Sequence, residues 1–93
     1  MEFAWDPRKA RSNAAKHGVT FEEAQSVFLD DNARLISDPD HSIDEERFVL
    51  LGYSSLTRCL IVNHCYRQSG VVVRLISARR ATQAEETVYW SYL

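Results

Sequence analysis

The stretch "VVVRLISARRAT", Val71 to Thr82, decides how the chain is read. Its β-branched and aliphatic residues favour a strand with a buried face. Arg74 interrupts that run, and Arg79 and Arg80 stand at its exit. The following "TQAE" opens a helix, because Thr82 and Glu85 have the spacing of a capping box. Val88, Tyr89, Trp90 and Tyr92 then ride on that helix. One face of the sheet is therefore read as core and the other as a surface for phosphate. The competing reading is that the arginines only keep a small domain soluble.

Working upstream, Arg47–Tyr53 and Cys59–Arg67 read as two more strands, and the connections "SSLT" and "QSG" are short enough for hairpins. "ARLIS", Ala33 to Ser37, is extended, and residues 2–5 fit a short edge strand. Asp6 and Pro7 suit the N-cap and first position of a helix that stops at Gly18. Thr20 and Glu23 form a second capping box, followed by the helical stripe Phe21, Ala24, Val27 and Phe28. The order is β-α-α-β-β-β-β-α. Strands in series call for an antiparallel sheet with the helices on one face, an α+β domain spanning residues 1–93.

The net charge of −2 hides a segregation that bears on partners. Residues 21–46 carry nine acids against Arg34, whereas residues 47–84 carry six arginines and no acid. A long segment charged only by arginine suits an anionic ligand. Cys59 and Cys65 lie six residues apart on one predicted strand, roughly 20 Å, and cannot bridge each other. No apolar run is long enough to span a bilayer, and "MEFAWDPRKA" lacks the pattern of a signal peptide. The expectation is a cytoplasmic protein with reduced thiols and no membrane contact.

Turn lengths give a register. With Gln68-Ser69-Gly70 as a three-residue loop, His64 falls opposite Arg74; with Ser54–Thr57 as a four-residue loop, Arg47 falls opposite His64. An Arg-His-Arg row then shares one face with Val49, Leu51, Tyr53, Leu60, Val62, Tyr66, Val72 and Ile76, while Asn63 and Ser77 point to the core side. Arginine forks suit phosphate and stabilise a phosphorane, and histidine moves a proton near neutral pH. RNA brings its own nucleophile, the 2′-hydroxyl, so such a row needs no metal. A second reading leaves His64 as a strand-end histidine without a chemical role. "DPDH", with Asp38, Asp40 and His41, reads as a turn more readily than as a cation site. No metal and no cofactor are expected.

Three stretches together resemble the BrnT family: "FAWDPRKARSNAAKHGVTFEEA" (Phe3–Ala24), "DEERFVLLG" (Asp44–Gly52), and "RLISARRAT" with Glu85 and Tyr89. These are toxins of bacterial and archaeal type II toxin–antitoxin modules. The resemblance implies a RelE-like ribonuclease fold and RNA cleavage that inhibits translation. It also implies neutralisation by a BrnA-type antitoxin, in a hetero-oligomer taken as 2:2, with DNA reached only through the antitoxin. The family pattern places weight on Lys9, His17, Gly18, His41, Glu46, Arg47, Arg74, Ser77, Arg79, Glu85 and Tyr89. The expected catalytic set is His64, Arg47, Arg74, Arg79, Tyr89 and Glu85, with Lys9, Arg80, Ser77 and Tyr66 binding RNA. Tyr89 serves in this reading as an acid or a stacking platform. The expected product carries a 2′,3′-cyclic phosphate. The alternative is a non-catalytic RNA- or protein-binding module, or a co-repressor, on the same scaffold.

Overall fold

A computed structural model describes residues 1–37 and 46–93. The elements are β1 (Glu2–Ala4), α1 (Pro7–His17), α2 (Phe21–Ser26) with a 3-10 turn at Val27–Leu29, β2 (Arg34–Ser37), β3 (Phe48–Tyr53), β4 (Cys59–Arg67), β5 (Val72–Arg80) and α3 (Gln83–Ser91). That is the order expected. The "DPDH" segment lies outside the described residues. Among the described residues five strands form one sheet in the order β1-β5-β4-β3-β2. It is not wholly antiparallel, because β1 runs parallel to β5, pairing Ala4 with Arg74.

The helix ends follow their sequence signals. Asp6 accepts from the Arg8 N–H at 2.8 Å, and Gly18 closes α1 in the left-handed conformation (φ 68°) with its N–H on the Ala14 carbonyl. Thr82 and Glu85 form both halves of the capping box on α3. On α2 only one half forms. Thr20 Oγ1 accepts from the Glu23 N–H at 3.0 Å, but the Glu23 carboxylate turns to Ser54 and Arg58 instead.

Two hydrophobic clusters occupy opposite faces of the sheet. Val19, Phe21, Ala24 and Val27 bury Leu50, Leu60, Val62, Val73, Leu75 and Ala78. The strand neighbours Leu51 and Ile61 point the other way and, with Cys59, pack on Tyr89 of α3. The helices therefore cover both faces, not one: α1 and α2 the first, α3 part of the second. Cys59 and Cys65 are buried free thiols on β4, and burial pushes the Cys59 thiol up to about 11.

The buried Asn13 ties α1 to the sheet. Its amide donates to the carbonyls of Val19 (2.9 Å) and Ala78 (2.8 Å), and its Oδ1 accepts from the Ala78 N–H at 3.0 Å. Ala78 lies beyond the end of β1, so a side chain supplies the hydrogen bonds that a longer edge strand would have made.

The turns differ from their expected lengths by one residue each. Tyr53 pairs with Cys59, not Arg58, and Arg67 pairs with Val72, not Val71. Thr57 in the first turn, and Gln68, Ser69 and Gly70 in the second, all take positive φ. Both slips shift β4 by one residue against its neighbours, which turns its side chains over while β3 and β5 up to Leu75 keep their faces; beyond Leu75 a bulge turns Ser77 away from the core side expected for it. Leu60, Val62, His64 and Tyr66 therefore lie on the side of α1 and α2. The Arg47-His64-Arg74 row does not form.

Candidate functional site

Strand β5 carries an irregularity with a chemical consequence. Asn63 pairs with Ser77, and the next residue, His64, pairs with Leu75, so Ile76 is an extra residue on β5. Arg74 and Arg79 are five positions apart and would sit on opposite faces of a regular strand. The bulge resets the alternation. Val73, Leu75 and Ala78 are buried toward α1 and α2, whereas Arg74, Ser77 and Arg79 are partly exposed on the other face. Arg47 precedes β3 in step with Val49 and Leu51 of that same face. The structure thus brings Arg47, Arg74, Ser77 and Arg79 to one side of the sheet, with Arg79 beside the start of α3.

Arg79 is held by a two-pronged ion pair. Its Nη1 and Nη2 donate to Glu85 Oε1 and Oε2, each at 2.8 Å, and Nη1 also reaches the Arg80 carbonyl. Glu85 Oε1 further accepts from the Thr82 N–H at 2.8 Å. The Arg79 hydrogen bonds, with the Thr82 amide, pull the Glu85 carboxyl down to about 2 against some burial. Glu85 is thus ionised across the neutral range and its oxygens are committed. The end of the guanidinium is pinned, and its Nε edge is the side turned away from Glu85.

The other expected site residues are placed elsewhere. His64 is fully buried on the opposite face, among the rings of Phe28, Phe48 and Tyr66. Its Nδ1 donates to the Val62 carbonyl at 3.1 Å, which leaves Nε2 to accept from Tyr66 OH at 3.2 Å. Burial lowers its pKa and favours the neutral ring. Tyr66 belongs to this cluster and not to the arginine face. Tyr89 is 3 % exposed and donates its hydroxyl to Asp30 Oδ2 at 2.8 Å. Burial and Asp30 push its hydroxyl up to about 12, and the ring packs with Leu51, Cys59 and Ile61. Lys9 is exposed on α1, across the sheet from Arg79. Arg80 is exposed at the strand exit on the helix side, near enough to Glu23 to help lower its pKa. His17 is partly exposed in the last turn of α1.

Sequence reasoning missed Asn63. It lies on the arginine face opposite Ser77, and among the described residues its buried Oδ1 has no hydrogen-bond partner. The reading that placed it in the core rested on the wrong turn lengths. It also missed Asp30, whose Oδ2 accepts from both the Tyr53 N–H (2.9 Å) and Tyr89 OH, fixing α3 against β3. No sequence motif links Asp30 to Tyr89, 59 positions away.

A sheet with one face covered by two helices, and the other displaying arginines beside a third helix, defines a small α+β protein with a basic sheet face. Residues 5–85 match the family described as "Ribonuclease toxin, BrnT, of type II toxin-antitoxin system", and the chain belongs to that family. The fold is similar to the crystal structure of the Brucella abortus ribonuclease toxin BrnT, with a TM-score of 0.67 and 25% identity. That match covers 89% of this chain and 99% of the Brucella chain. No curated protein matches the sequence.

Proposed function

We propose that this protein is a metal-independent endoribonuclease toxin that cuts RNA on the arginine face and thereby inhibits translation. The observation that carries the reading is the β5 bulge, which turns Arg74 and Arg79 to one side of the sheet. A ribose 2′-oxygen attacks the adjacent phosphorus, the bond from phosphorus to the 5′-oxygen breaks, and a proton passes from the nucleophile to solvent or a base while the 5′-oxygen gains one. The products are a 2′,3′-cyclic phosphate and a 5′-hydroxyl. Arg79 binds the phosphate through its Nε edge and stabilises the charge of the phosphorane, with Arg74 further back on the same strand and Arg47 just before β3. Glu85 holds the Arg79 fork in place and is a positioning residue. Ser77 contacts the strand between the arginines. His64 and Tyr89 maintain the two clusters behind the site.

Membership of a type II family supports a protein antitoxin as the second partner. The reading is a BrnA-type antitoxin in a 2:2 complex in the cytoplasm, covering the Arg74 and Arg79 surface and excluding RNA. The deciding assay incubates the purified protein with end-labelled single-stranded RNA in the presence of a chelator. Cleavage giving cyclic-phosphate ends is expected, with loss of about 10²–10³ in rate for Arg79→Ala. Intact RNA with the wild type, or cleavage abolished by the chelator, would refute the reading; intact RNA that is still bound would point to a non-catalytic module.

A further inference from the structure

We infer that Asn63, with Ser77 beside it, recognises the ribose 2′-hydroxyl of a bound strand; the inference rests on the reading that the arginine face binds RNA. Asn63 sits at the middle of the sheet, paired with Val49 on β3 and Ser77 on β5. The cross-strand pair occurs where the bulge begins, three positions from Arg74 and two from Arg79. Side chains directly opposite each other in such a pair have Cβ atoms about 5 Å apart.

The buried polar side chains on the helix side are satisfied. Asn13 makes three hydrogen bonds, Glu23 engages Ser54 and Arg58, and both ring nitrogens of His64 are paired. Asn63 is partly exposed as a residue, its Oδ1 is buried, and among the described residues that atom accepts no hydrogen bond. An unpaired buried acceptor costs stability, and an apolar residue there would remove that desolvated acceptor. Retention at a bulge, on the face that carries the arginines, fits a ligand that completes the bond.

The chemistry of the atom narrows the ligand. A carboxamide oxygen only accepts, so its partner must be a donor. Phosphate oxygens are acceptors and suit the flanking arginines. Along a strand whose phosphates lie at Arg74 and Arg79, the donor on the sugar between them is the 2′-hydroxyl, the group that distinguishes RNA from DNA. The Ser77 hydroxyl, as both donor and acceptor, can meet the same oxygen.

The test compares one short single-stranded sequence made as RNA, as 2′-fluoro RNA and as DNA. Binding is read by fluorescence anisotropy in a stopped-flow mixer at low temperature, before cleavage. The wild type is expected to prefer RNA over the 2′-fluoro strand by about tenfold, the size of one hydrogen bond to a buried acceptor. Asn63→Ala and Asn63→Val should bind all three strands alike, with the 2′-fluoro affinity unchanged and melting temperatures no lower than the wild type. The valine variant, suited to a strand, guards against a folding defect in the alanine one. Asn63→Asp keeps the acceptor and should keep the preference, at lower affinity for every strand. If the wild type binds none of the strands, the RNA reading and this inference fall together. If it binds all of them without preference, or Asn63→Ala keeps the preference, the assignment of Asn63 is wrong while the RNA reading stands. A contact to a base amino group gives that same lack of preference, because the bases are identical in all three strands.

Discussion

Replacing Asn13 by alanine removes the side chain that stands in for a missing stretch of edge strand. Three hydrogen bonds go: two from the amide to the Val19 and Ala78 carbonyls, and one from the Ala78 N–H to Oδ1. Ala78 is wholly buried, so water cannot replace the carboxamide there. An orphaned buried N–H costs about 1–3 kcal/mol, and carbonyls that lose one partner add less. The expected loss is about 2–4 kcal/mol, a large fraction of the total stability of a small domain. At about 4–8 °C per kcal/mol for this size, the melting temperature falls by about 10–25 °C. Asn13→Asp is informative because a carboxylate can still accept from Ala78 but now faces two carbonyl oxygens. Burial and those carbonyls raise its folded pKa above the unfolded value, so its stabilising protonated form is present at low pH and lost as pH rises. This variant should therefore approach the wild type at about pH 4.5 and fall away at about pH 8. Circular dichroism melts over that pH range, with urea titrations as a second measure, check both points. A loss under about 0.5 kcal/mol for Asn13→Ala would refute the argument that this side chain completes β5.

Gly52→Ala places a Cβ 2.9 Å from Ala33 Cβ and 3.0 Å from both Asp30 Oδ2 and Val27 Cγ1. It should destabilise by about 1–3 kcal/mol and loosen α3 through Asp30, visible as lost near-ultraviolet signal from Tyr53, Tyr89 and Trp90. The Glu85 and Glu23 carboxyls are both held below their ordinary range, chiefly by Arg79 and Arg58 respectively. Depressed carboxyl pKa values give stability that is present above about pH 4.5 and lost as pH falls toward 2, so the urea midpoint should drop over that interval. Glu85→Gln should flatten the drop, and an unchanged slope would contradict the pairing.

Much of the fold is written in local signals. Asp6, Gly18, Thr20 and Thr82 mark helix ends by backbone chemistry that acts within four residues, and Phe21, Ala24 and Val27 mark a buried stripe by spacing alone. The face of β4 was not legible, because it depends on turns whose lengths are set by Thr57, Gln68 and Ser69 taking positive φ, which glycine would have announced and these residues do not. One residue in each turn was enough to place His64 among the arginines when it lies behind them. The bulge is not read from the sequence: Val73, Leu75 and Ala78 break a period of two only once their burial is known, and regular alternation puts Ser77 toward the core. Partnerships such as Asp30 with Tyr89 have no local trace and become readable only once the sheet has assembled.

The extra residue in β5 divides that strand into two reading frames of inward and outward. Any deletion or insertion of a single residue between Arg74 and Ser77 would leave Arg74, Ser77 and Arg79 in the sequence and yet drive one arginine toward the apolar interior. Length at this point is therefore as strict a requirement as residue identity, and a transplant of the arginine strand onto a regular hairpin would carry over its composition without its surface.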